Sequence, residues 1–148
     1  MRLSARLIVL ALLSTSLFAG GFTPKTEDEK GIAAAIDLYF QGHATGDGNF
    51  MRRAFVPEAN LFFVREGKLA TWTSEEFAGR MPGKAAADEA QRKRWIELIH
   101  ASGDAGMAVV KLHYPQVTFT DYMSLLRIDG TWRIVNKTFH ADRRPPAK

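Results

Sequence analysis

Apolar and polar residues alternate along the C-terminal third of the chain in the manner of β-strands. Two such runs, 117–128 and 131–139, flank the dipeptide Asp129-Gly130. An Asp-Gly pair between alternating runs predicts a β-hairpin, because both turn residues tolerate positive φ. The turn also sets the register of the strands. The pairs predicted on one face are Arg127–Trp132, Leu125–Ile134, Met123–Asn136 and Asp121–Thr138. This face is apolar near the turn and polar at its far end, which suits the wall of a cavity.

The N-terminal part of the chain shows helical rather than strand periodicity. Thr26 opens a capping-box pattern, the apolar residues that follow recur every three or four positions, and Gly46 comes after the last of them. This pattern predicts a helix that begins after Thr26 and ends at Gly46. A second, short helix is predicted to follow at once, capped by Asp47 or Asn49 and ended by Pro57.

The middle of the chain predicts two further hairpins and a short helix. Apolar runs at 61–64 and 69–72 flank a four-residue turn, and Thr73 then caps a short helix. Longer runs at 92–102 and 107–114 flank a glycine-rich turn. The helices therefore come first, followed by a small hairpin and four long antiparallel strands. Helices on one side of an antiparallel sheet define an α+β fold.

The first 21 residues have the layout of a secretory signal. Arg2 and Arg6 precede an apolar run at 7–13, and small residues at 19–21 offer a cleavage site. A retained membrane anchor is the alternative, although the run is shorter than the roughly 20 residues that a span requires. We expect export to the periplasm or the medium. The predicted boundaries are a signal peptide at 1–21, a single domain at 22–142 and a disordered basic tail at 143–148.

Composition narrows the classes of function. The chain of 148 residues has no cysteine, which excludes disulfides, thiolate metal sites and cysteine nucleophiles. Its net charge of +4 includes the two arginines of the predicted signal, so the remainder carries +2. Weak and scattered basic charge does not indicate a nucleic-acid partner. Once the signal is removed, no other segment is long and apolar enough to indicate a membrane partner.

Five short segments carry a family resemblance. They are YFQGHATGD at 39–47, MRRAF at 51–55, GDA at 103–105, FTDY at 119–122 and WRIVNK at 132–137. With them the chain resembles the nuclear transport factor 2-like superfamily, which includes SnoaL-like proteins, and within it the "putative lumazine-binding" family. The resemblance implies a cone, in which a curved antiparallel sheet wraps on the N-terminal helices. Its concave face would form a pocket, and its outer face would pair in a homodimer. It implies no single activity, because members include enzymes, carriers and non-catalytic modules.

Asp121 and His100 are the candidate catalytic residues. By the predicted register Asp121 shares a face with Met123, so its carboxylate is expected to point into the concavity. A general base for work near neutral pH needs such apolar surroundings. The alternative places Asp121 at a solvated edge, and a β-bulge before Leu125 would turn it outward. His100 alternates with Ile96 and could exchange a hydrogen bond with a ligand, or it could face water at the strand end.

Aromatic and polar residues supply the candidate ligand pocket, since rings stack on flat ligands without demanding polar geometry. Most aromatic residues are expected simply to form the core, and His43 could pack at its edge. Lys137 is predicted opposite Tyr122, facing away from Asp121. If the strand is bulged, those two would exchange places with Asp121 and Asn136. The pocket candidates are Tyr39, His43, Trp72, Tyr114, Asn136 and Lys137.

Motifs for metal and cofactor binding are missing from the sequence. The four histidines lack the spacing of metal ligands. There is no phosphate loop, dinucleotide fingerprint or Gly-x-Ser-x-Gly elbow. We therefore expect no metal and no cofactor.

Three hypotheses of function remain. The preferred one is an exported domain that binds a compact planar or hydrophobic molecule in a mostly apolar pocket. The second is a cofactor-free isomerase, dehydratase or cyclase, with Asp121 as base and His100 or Tyr39 as proton donor. The third is a non-catalytic, dimeric interaction module, whose outer surface matters more than its cavity.

Overall fold

Six β-strands form one curved sheet, and three α-helices pack against it. The computed structural model describes residues 22–145, so the predicted signal peptide lies outside the described residues. A 3-10 turn, Glu89–Gln91, lies in the loop before the third strand. The helices and strands in chain order are α1 (Glu27–Thr45), α2 (Gly48–Ala54), β1 (Phe55–Arg65), β2 (Lys68–Thr73), α3 (Ser74–Gly79), β3 (Lys93–Ser102), β4 (Ala105–Tyr114), β5 (Val117–Ile128) and β6 (Thr131–Arg143).

The strands are ordered β2-β1-β6-β5-β4-β3 across the sheet. All neighbours are antiparallel except β1 and β6, which are parallel. The predicted α+β cone is confirmed, with the four long strands β3 to β6 and the hairpin of β1 and β2 wrapped on the N-terminal helices. The last turn of α1 and helix α3 lie near the end of the sheet where β5 begins and β6 ends, since His43 contacts Tyr114 and Phe77 contacts Trp72. We call this end of the unclosed sheet the open end of the cone.

Strand β1 is longer than the sequence predicted. It begins at Phe55, whereas the prediction had a helix as far as Pro57 and a strand only from residue 61. The pairing of β1 with β6 is interrupted between Phe55 and Asn60. A proline is tolerated where the hydrogen-bond ladder is broken, because its missing N–H then costs nothing. The strand therefore passes through Pro57.

Helix α1 packs against the concave face of the sheet. Its capping box is confirmed, since the Thr26 hydroxyl accepts from the Glu29 amide and the Glu29 carboxylate accepts from the Thr26 amide. Gly46 ends the helix at φ 72°, a left-handed conformation that favours glycine. Close packing also requires Gly31, because a Cβ there would lie 2.4 Å from Cδ1 of Trp132.

One extra residue in β6 changes the predicted register of the β5–β6 hairpin. The pairs Arg127–Trp132 and Leu125–Ile134 are confirmed. Beyond them Val135 has no partner, and Ser124 pairs with Asn136. The predicted pairs of Met123 with Asn136 and of Asp121 with Thr138 are therefore wrong. The observed partners are Lys137 for Met123 and Phe139 for Asp121.

A second extra residue lies in β3. Ile96 pairs with Val110 and Leu98 pairs with Val109, so Glu97 bulges between them. Beyond the bulge, the side chain on the inner face of β3 is that of Ile99, which is buried. The prediction that His100 shares the inner face with Ile96 is therefore wrong, and His100 is exposed.

The C-terminal end of the described chain is held against the sheet. Strand β6 runs as far as Arg143, and the backbone amide of Arg144 donates to the Gln116 carbonyl oxygen. The Arg144 guanidinium also donates to the carbonyl oxygens of Tyr114 and Pro115.

Between residues 22 and 145, no helix is both long and apolar enough to span a bilayer.

Candidate functional site

Three polar side chains meet in the interior of the cone. The Tyr39 hydroxyl donates to Oδ2 of Asp121 over 2.7 Å, and Nζ of Lys137 donates to the Tyr39 hydroxyl over 2.6 Å. Nζ also lies 3.2 Å from Oδ1 of Asp121 as an ion pair. Tyr39 and Asp121 have no exposed surface, and Lys137 is 3% exposed. We call Tyr39, Asp121 and Lys137 the polar cluster.

The bulge at Val135 assembles this cluster. Because the extra residue lies in β6, Asp121 on β5 keeps its inward direction, as predicted from the sequence. On β6 the bulge turns Lys137 inward, and the preceding Asn136 falls on the opposite face, where it is only partly buried. A β-bulge re-aims the side chains beyond it in this way. The structure therefore brings Lys137, and not Asn136, to Asp121.

Burial shifts the titration of two members of the polar cluster. It raises the pKa of Tyr39 well above its ordinary value, and the charge and hydrogen bond of Asp121 raise it further. Burial also lowers the pKa of Lys137, although the neighbouring Asp121 carboxylate opposes this shift. Tyr39 therefore keeps its proton, while the neutral amine of Lys137 becomes accessible at a lower pH than in water.

Five aromatic side chains lie around the open end of the cone, one step outward from the polar cluster. Their rings form a continuous chain, with centroid distances of 4.5 Å for Trp72–Phe63, 4.9 Å for Phe63–Phe139, 6.2 Å for Phe139–Phe119 and 6.0 Å for Phe119–Tyr114. We call these five residues the aromatic mouth. Trp72, Phe119 and Phe139 are partly exposed, and Tyr114 and Phe63 are buried.

Two further rings join the aromatic mouth to the polar cluster. Phe77 of α3 stacks with Trp72 at 6.3 Å and with Tyr39 at 6.3 Å. His43 of α1 meets Tyr39 edge-on at 4.6 Å, and its Nε2 is buried without a hydrogen-bond partner from residues 22–145. Burial lowers the pKa of His43 well below its ordinary value, and the nearby charges of Lys137 and arginines add to this effect. His43 is therefore a neutral imidazole.

Arginines surround the aromatic mouth. The guanidinium of Arg80 lies 4.5 Å from the Trp72 ring centroid, and that of Arg92 lies 4.2 Å from the Tyr114 ring. Arg94 is held by Glu89 through two hydrogen bonds of 2.6 and 2.9 Å. Its Nε donates to the Tyr114 hydroxyl over 3.3 Å. The entrance thus combines flat apolar faces with positive charge.

A groove of about 570 Å³ lies on the outer face of the sheet, where β1 ends and β6 continues. Its wall includes Tyr122, Thr138 and His140, which point away from the polar cluster, so this groove is separate from the concave side of the aromatic mouth. Deeper in the cone, at the level of Asp121, the concavity is filled by buried side chains. The interior is therefore packed at this level, with mostly apolar side chains around the buried polar cluster.

The structure separates the sequence-predicted candidates into two groups. Tyr39, His43, Trp72, Tyr114, Asp121 and Lys137 lie together at the open end of the cone. His100 and Asn136 do not join them, because the bulges in β3 and β6 turn both onto the outer face. Sequence reasoning missed Phe63, Phe119 and Phe139 as members of the site. Phe119 lies two residues before Asp121, and this spacing could have identified it.

Among residues 22–145, no three histidine, aspartate or glutamate side chains come together in a way that could hold a metal ion. The basic and aromatic side chains around the mouth are also poor metal ligands, since cations prefer carboxylate, imidazole or thiolate groups.

Solved structures of other proteins share the fold. An NTF2-like protein of unknown function from Shewanella baltica is 24% identical, with a TM-score of 0.71 over 81% of this chain and 99% of that one. A similar protein from Silicibacter pomeroyi is 24% identical, with a TM-score of 0.69 over 80% of this chain and 100% of that one. A third, from Methylobacillus flagellatus, is 27% identical, with a TM-score of 0.67 over 80% and 94% of the two chains. These likenesses establish the NTF2-like fold.

A short segment resembles a curated enzyme. The chain is 41% identical over 32 residues to the aldolase FrzH of Cladobotryum sp, which is 22% of this chain and 26% of the aldolase. The match thus spans about a quarter of that relative's length.

A family model covers most of the chain. The family described as "Putative lumazine-binding" matches residues 27–140, a range that includes both the polar cluster and the aromatic mouth. Together with the NTF2-like fold, this match supports a ligand-binding domain. The chain belongs to the "Putative lumazine-binding" family of the NTF2-like superfamily.

Proposed function

We propose that this protein is an exported domain that binds a compact planar small molecule at the aromatic mouth. The observation that carries the proposal is the unbroken chain of rings from Trp72 to Tyr114 at the open end of the cone. Three of these rings remain partly exposed. Partly exposed aromatic rings grouped at a concave entrance favour stacking of a flat ligand.

The charge of the entrance defines the ligand more closely. Arg65, Arg80 and Arg92 lie over rings of the mouth at 4.2 to 5.8 Å. A ligand that stacks on these rings would meet guanidinium groups at its edge. We therefore propose a planar ligand that carries negative charge or several hydrogen-bond acceptors.

Lumazine, which the family description names, is a suitable first probe because it is flat and rich in acceptors. Isothermal titration calorimetry measures the affinity of the protein for lumazine. Trp72→Ala should weaken binding about fivefold, which corresponds to the loss of one stacking contact of about 1 kcal/mol. Trp95→Ala is the matched control, since Trp95 pairs with Lys111 on the outer face of the sheet.

The proposal would be overturned in two ways. Equal affinities of the Trp72 and Trp95 variants would remove the aromatic mouth as the binding site. If lumazine does not bind, native mass spectrometry of protein purified from its own cells becomes the decisive measurement. A co-purified molecule that Trp72→Ala retains as well as the wild type does would contradict the proposal.

A second candidate function is a cofactor-free enzyme that uses Asp121 as base. The polar cluster favours it, because a carboxylate, a phenol and an amine meet within 3.2 Å in a water-excluded site. Such a site could remove a proton next to a carbonyl group. Hydrogen–deuterium exchange at the α-carbon of small ketones, followed by NMR in D₂O, measures this activity. Asp121→Asn should abolish exchange, and unchanged exchange would exclude Asp121 as the base.

The outer face of the sheet supports the proposal of a homodimer. Met107, Tyr122 and Leu126 are exposed large apolar residues on neighbouring positions of β4 and β5. An exposed apolar patch of this kind is typical of a protein interface. We expect a dimer in size-exclusion chromatography with light scattering and a monomer for Tyr122→Asp. A monomeric wild-type protein at micromolar concentration would exclude this interface.

Export is proposed from the sequence alone. The predicted signal at 1–21 should be removed, so protein recovered from the periplasm or medium should begin at Phe22. The intact mass of the recovered protein shows whether residues 1–21 have been removed. Full-length protein confined to the cytoplasm would contradict export.

A further inference from the structure

We propose that Lys137 is a carbonyl-reactive amine, which forms an imine with a small aldehyde or ketone entering through the aromatic mouth. This inference rests on the proposed function, because the carbonyl compound has to reach the polar cluster through the same entrance. It goes beyond stacking, since it assigns a covalent step to one side chain.

The environment of Lys137 differs from that of the other lysines between residues 22 and 145. Its Nζ is held by the Tyr39 hydroxyl at 2.6 Å and by Asp121 at 3.2 Å. The rings of Phe77 and Phe139 enclose it at 5.2 and 4.7 Å. The other lysines in this part of the chain are exposed, or partly so in the case of Lys111. Lys137 is therefore held in one place and shielded from water.

A purely structural role explains this arrangement poorly. Burial of two opposite charges costs the hydration of both, so replacement by apolar side chains of similar volume often leaves a protein equally stable. The aromatic surroundings of the cluster would accept such side chains. A lysine desolvated in an apolar pocket is, by contrast, a recurring way to activate an amine for attack on carbonyl carbon. The lowered pKa of Lys137 agrees with this use.

The neighbours of Lys137 supply the proton transfers that imine formation requires. Asp121 first takes a proton from the Lys137 ammonium, and the freed amine attacks the carbonyl carbon. The new C–N bond forms as the C=O π electrons move to oxygen, and a proton moves from nitrogen to that oxygen. The Tyr39 hydroxyl, which keeps its proton, can donate a hydrogen bond to the developing alkoxide.

The carbinolamine then loses water. Asp121 returns its proton to the departing hydroxyl, and the nitrogen lone pair forms the C=N bond. The reaction consumes one ammonium group and one carbonyl compound, and it yields one protonated imine and one water. Asp121 ends as the carboxylate with which it began, so no oxidant, reductant or cofactor takes part.

Access to Lys137 requires movement of a single aromatic layer. Phe139 lies directly against Nζ and is itself partly exposed, as is Trp72 next to it. A small carbonyl compound has to displace the Phe139 ring to reach the amine.

Pentane-2,4-dione is a suitable probe, because with an unprotonated lysine it loses one water and forms a stable enaminone. The full chain is incubated with the diketone at pH 7, and modified residues are identified by peptide mass mapping. We expect Lys137 to react faster than exposed Lys93, because its lowered pKa leaves a larger fraction of the amine unprotonated. Lys111, which is partly buried on the outer face, serves as a second internal control.

The outcomes separate this inference from the proposed function. Modification spread over the exposed lysines, or no modification of Lys137, overturns the carbonyl-reactive amine even if lumazine binds. Selective modification of Lys137 in a protein that does not bind lumazine supports the proposal of a carbonyl-reactive amine. The same result refutes the proposal that lumazine stacks in the aromatic mouth.

Discussion

Replacing Lys137 by methionine tests whether the polar cluster holds a true buried ion pair. Methionine has a similar length, so the change removes the charge without a large cavity. It leaves the Asp121 carboxylate buried at 0% exposure with Tyr39 as its remaining partner. Removal of one partner of a buried pair costs about 3–5 kcal/mol, mainly because the other charge stays uncompensated.

Urea unfolding at pH 7, followed by far-UV circular dichroism, measures this loss as a lower midpoint at unchanged slope. Lys111→Met is the matched control. Lys111 donates to Thr120 and lies 3.7 Å from Glu97 at the surface, so its loss should cost at most about 1 kcal/mol.

A double variant separates charge from packing. Asp121→Asn combined with Lys137→Met removes the uncompensated charge, and it should recover at least about 2 kcal/mol relative to Lys137→Met alone. The reasoning would be refuted if Lys137→Met stayed within about 1 kcal/mol of the wild type. It would also be refuted if the double variant were no more stable than the single one.

Two further predictions concern pH and packing. In the folded protein His43 stays neutral, whereas in the unfolded chain it binds a proton below the ordinary pKa of histidine. Acidification from pH 6.5 to 5.5 should therefore lower the free energy of unfolding of the wild type by about 1 kcal/mol through this residue. His43→Gln should remove that part of the pH dependence of unfolding. His140→Gln, at an exposed position, should leave it unchanged. The prediction would be disproved if the free energy of unfolding changed with pH equally in the wild type and both variants. Gly31→Ala should destabilise by about 1–3 kcal/mol in thermal unfolding, because its Cβ would lie 2.4 Å from the Trp132 indole. Gly79→Ala, which meets nothing within 4 Å, should be neutral or stabilising, and a neutral Gly31→Ala would contradict the packing argument.

Local signals predicted the elements of this fold well. The cap at Thr26, the glycine at Gly46 and the Asp129-Gly130 turn each determine backbone geometry within a few residues, and the structure confirms all three. Register near the turn also follows from the turn itself, so Leu125–Ile134 was predictable.

Register far from the turn was not predictable in the same way. Val135 and Glu97 are ordinary strand residues, and nothing in their side chains requires a bulge. In β6 the two successive apolar residues Ile134 and Val135 interrupt the alternation, which is a weak signal that an extra residue is present. In β6 the face was counted outward from the Asp129-Gly130 turn, so Ile134 was placed correctly and Lys137, beyond Val135, was not. In β3 the face was counted from Ile96 across the bulge at Glu97, so His100 was placed on the wrong face.

The polar cluster also depends on tertiary packing. The sequence indicated that Asp121 points inward, but its partner Tyr39 lies 82 residues away on α1. No local pattern encodes that distance, and only the wrapping of the sheet over the helix brings the two together.

The unpaired Val135 lets β6 carry one residue more than its partner strand needs. The inward side chains on either side of it, Ile134 and Lys137, are separated by two residues instead of one. Deleting Val135 would restore the regular alternation, and Asn136 would still pair with Ser124 and Lys137 with Met123. The charged interior thus tolerates the loss of this residue, whereas a strand of unchanged length that lost the bulge would turn Lys137 to solvent and bring Asn136 to the inner face.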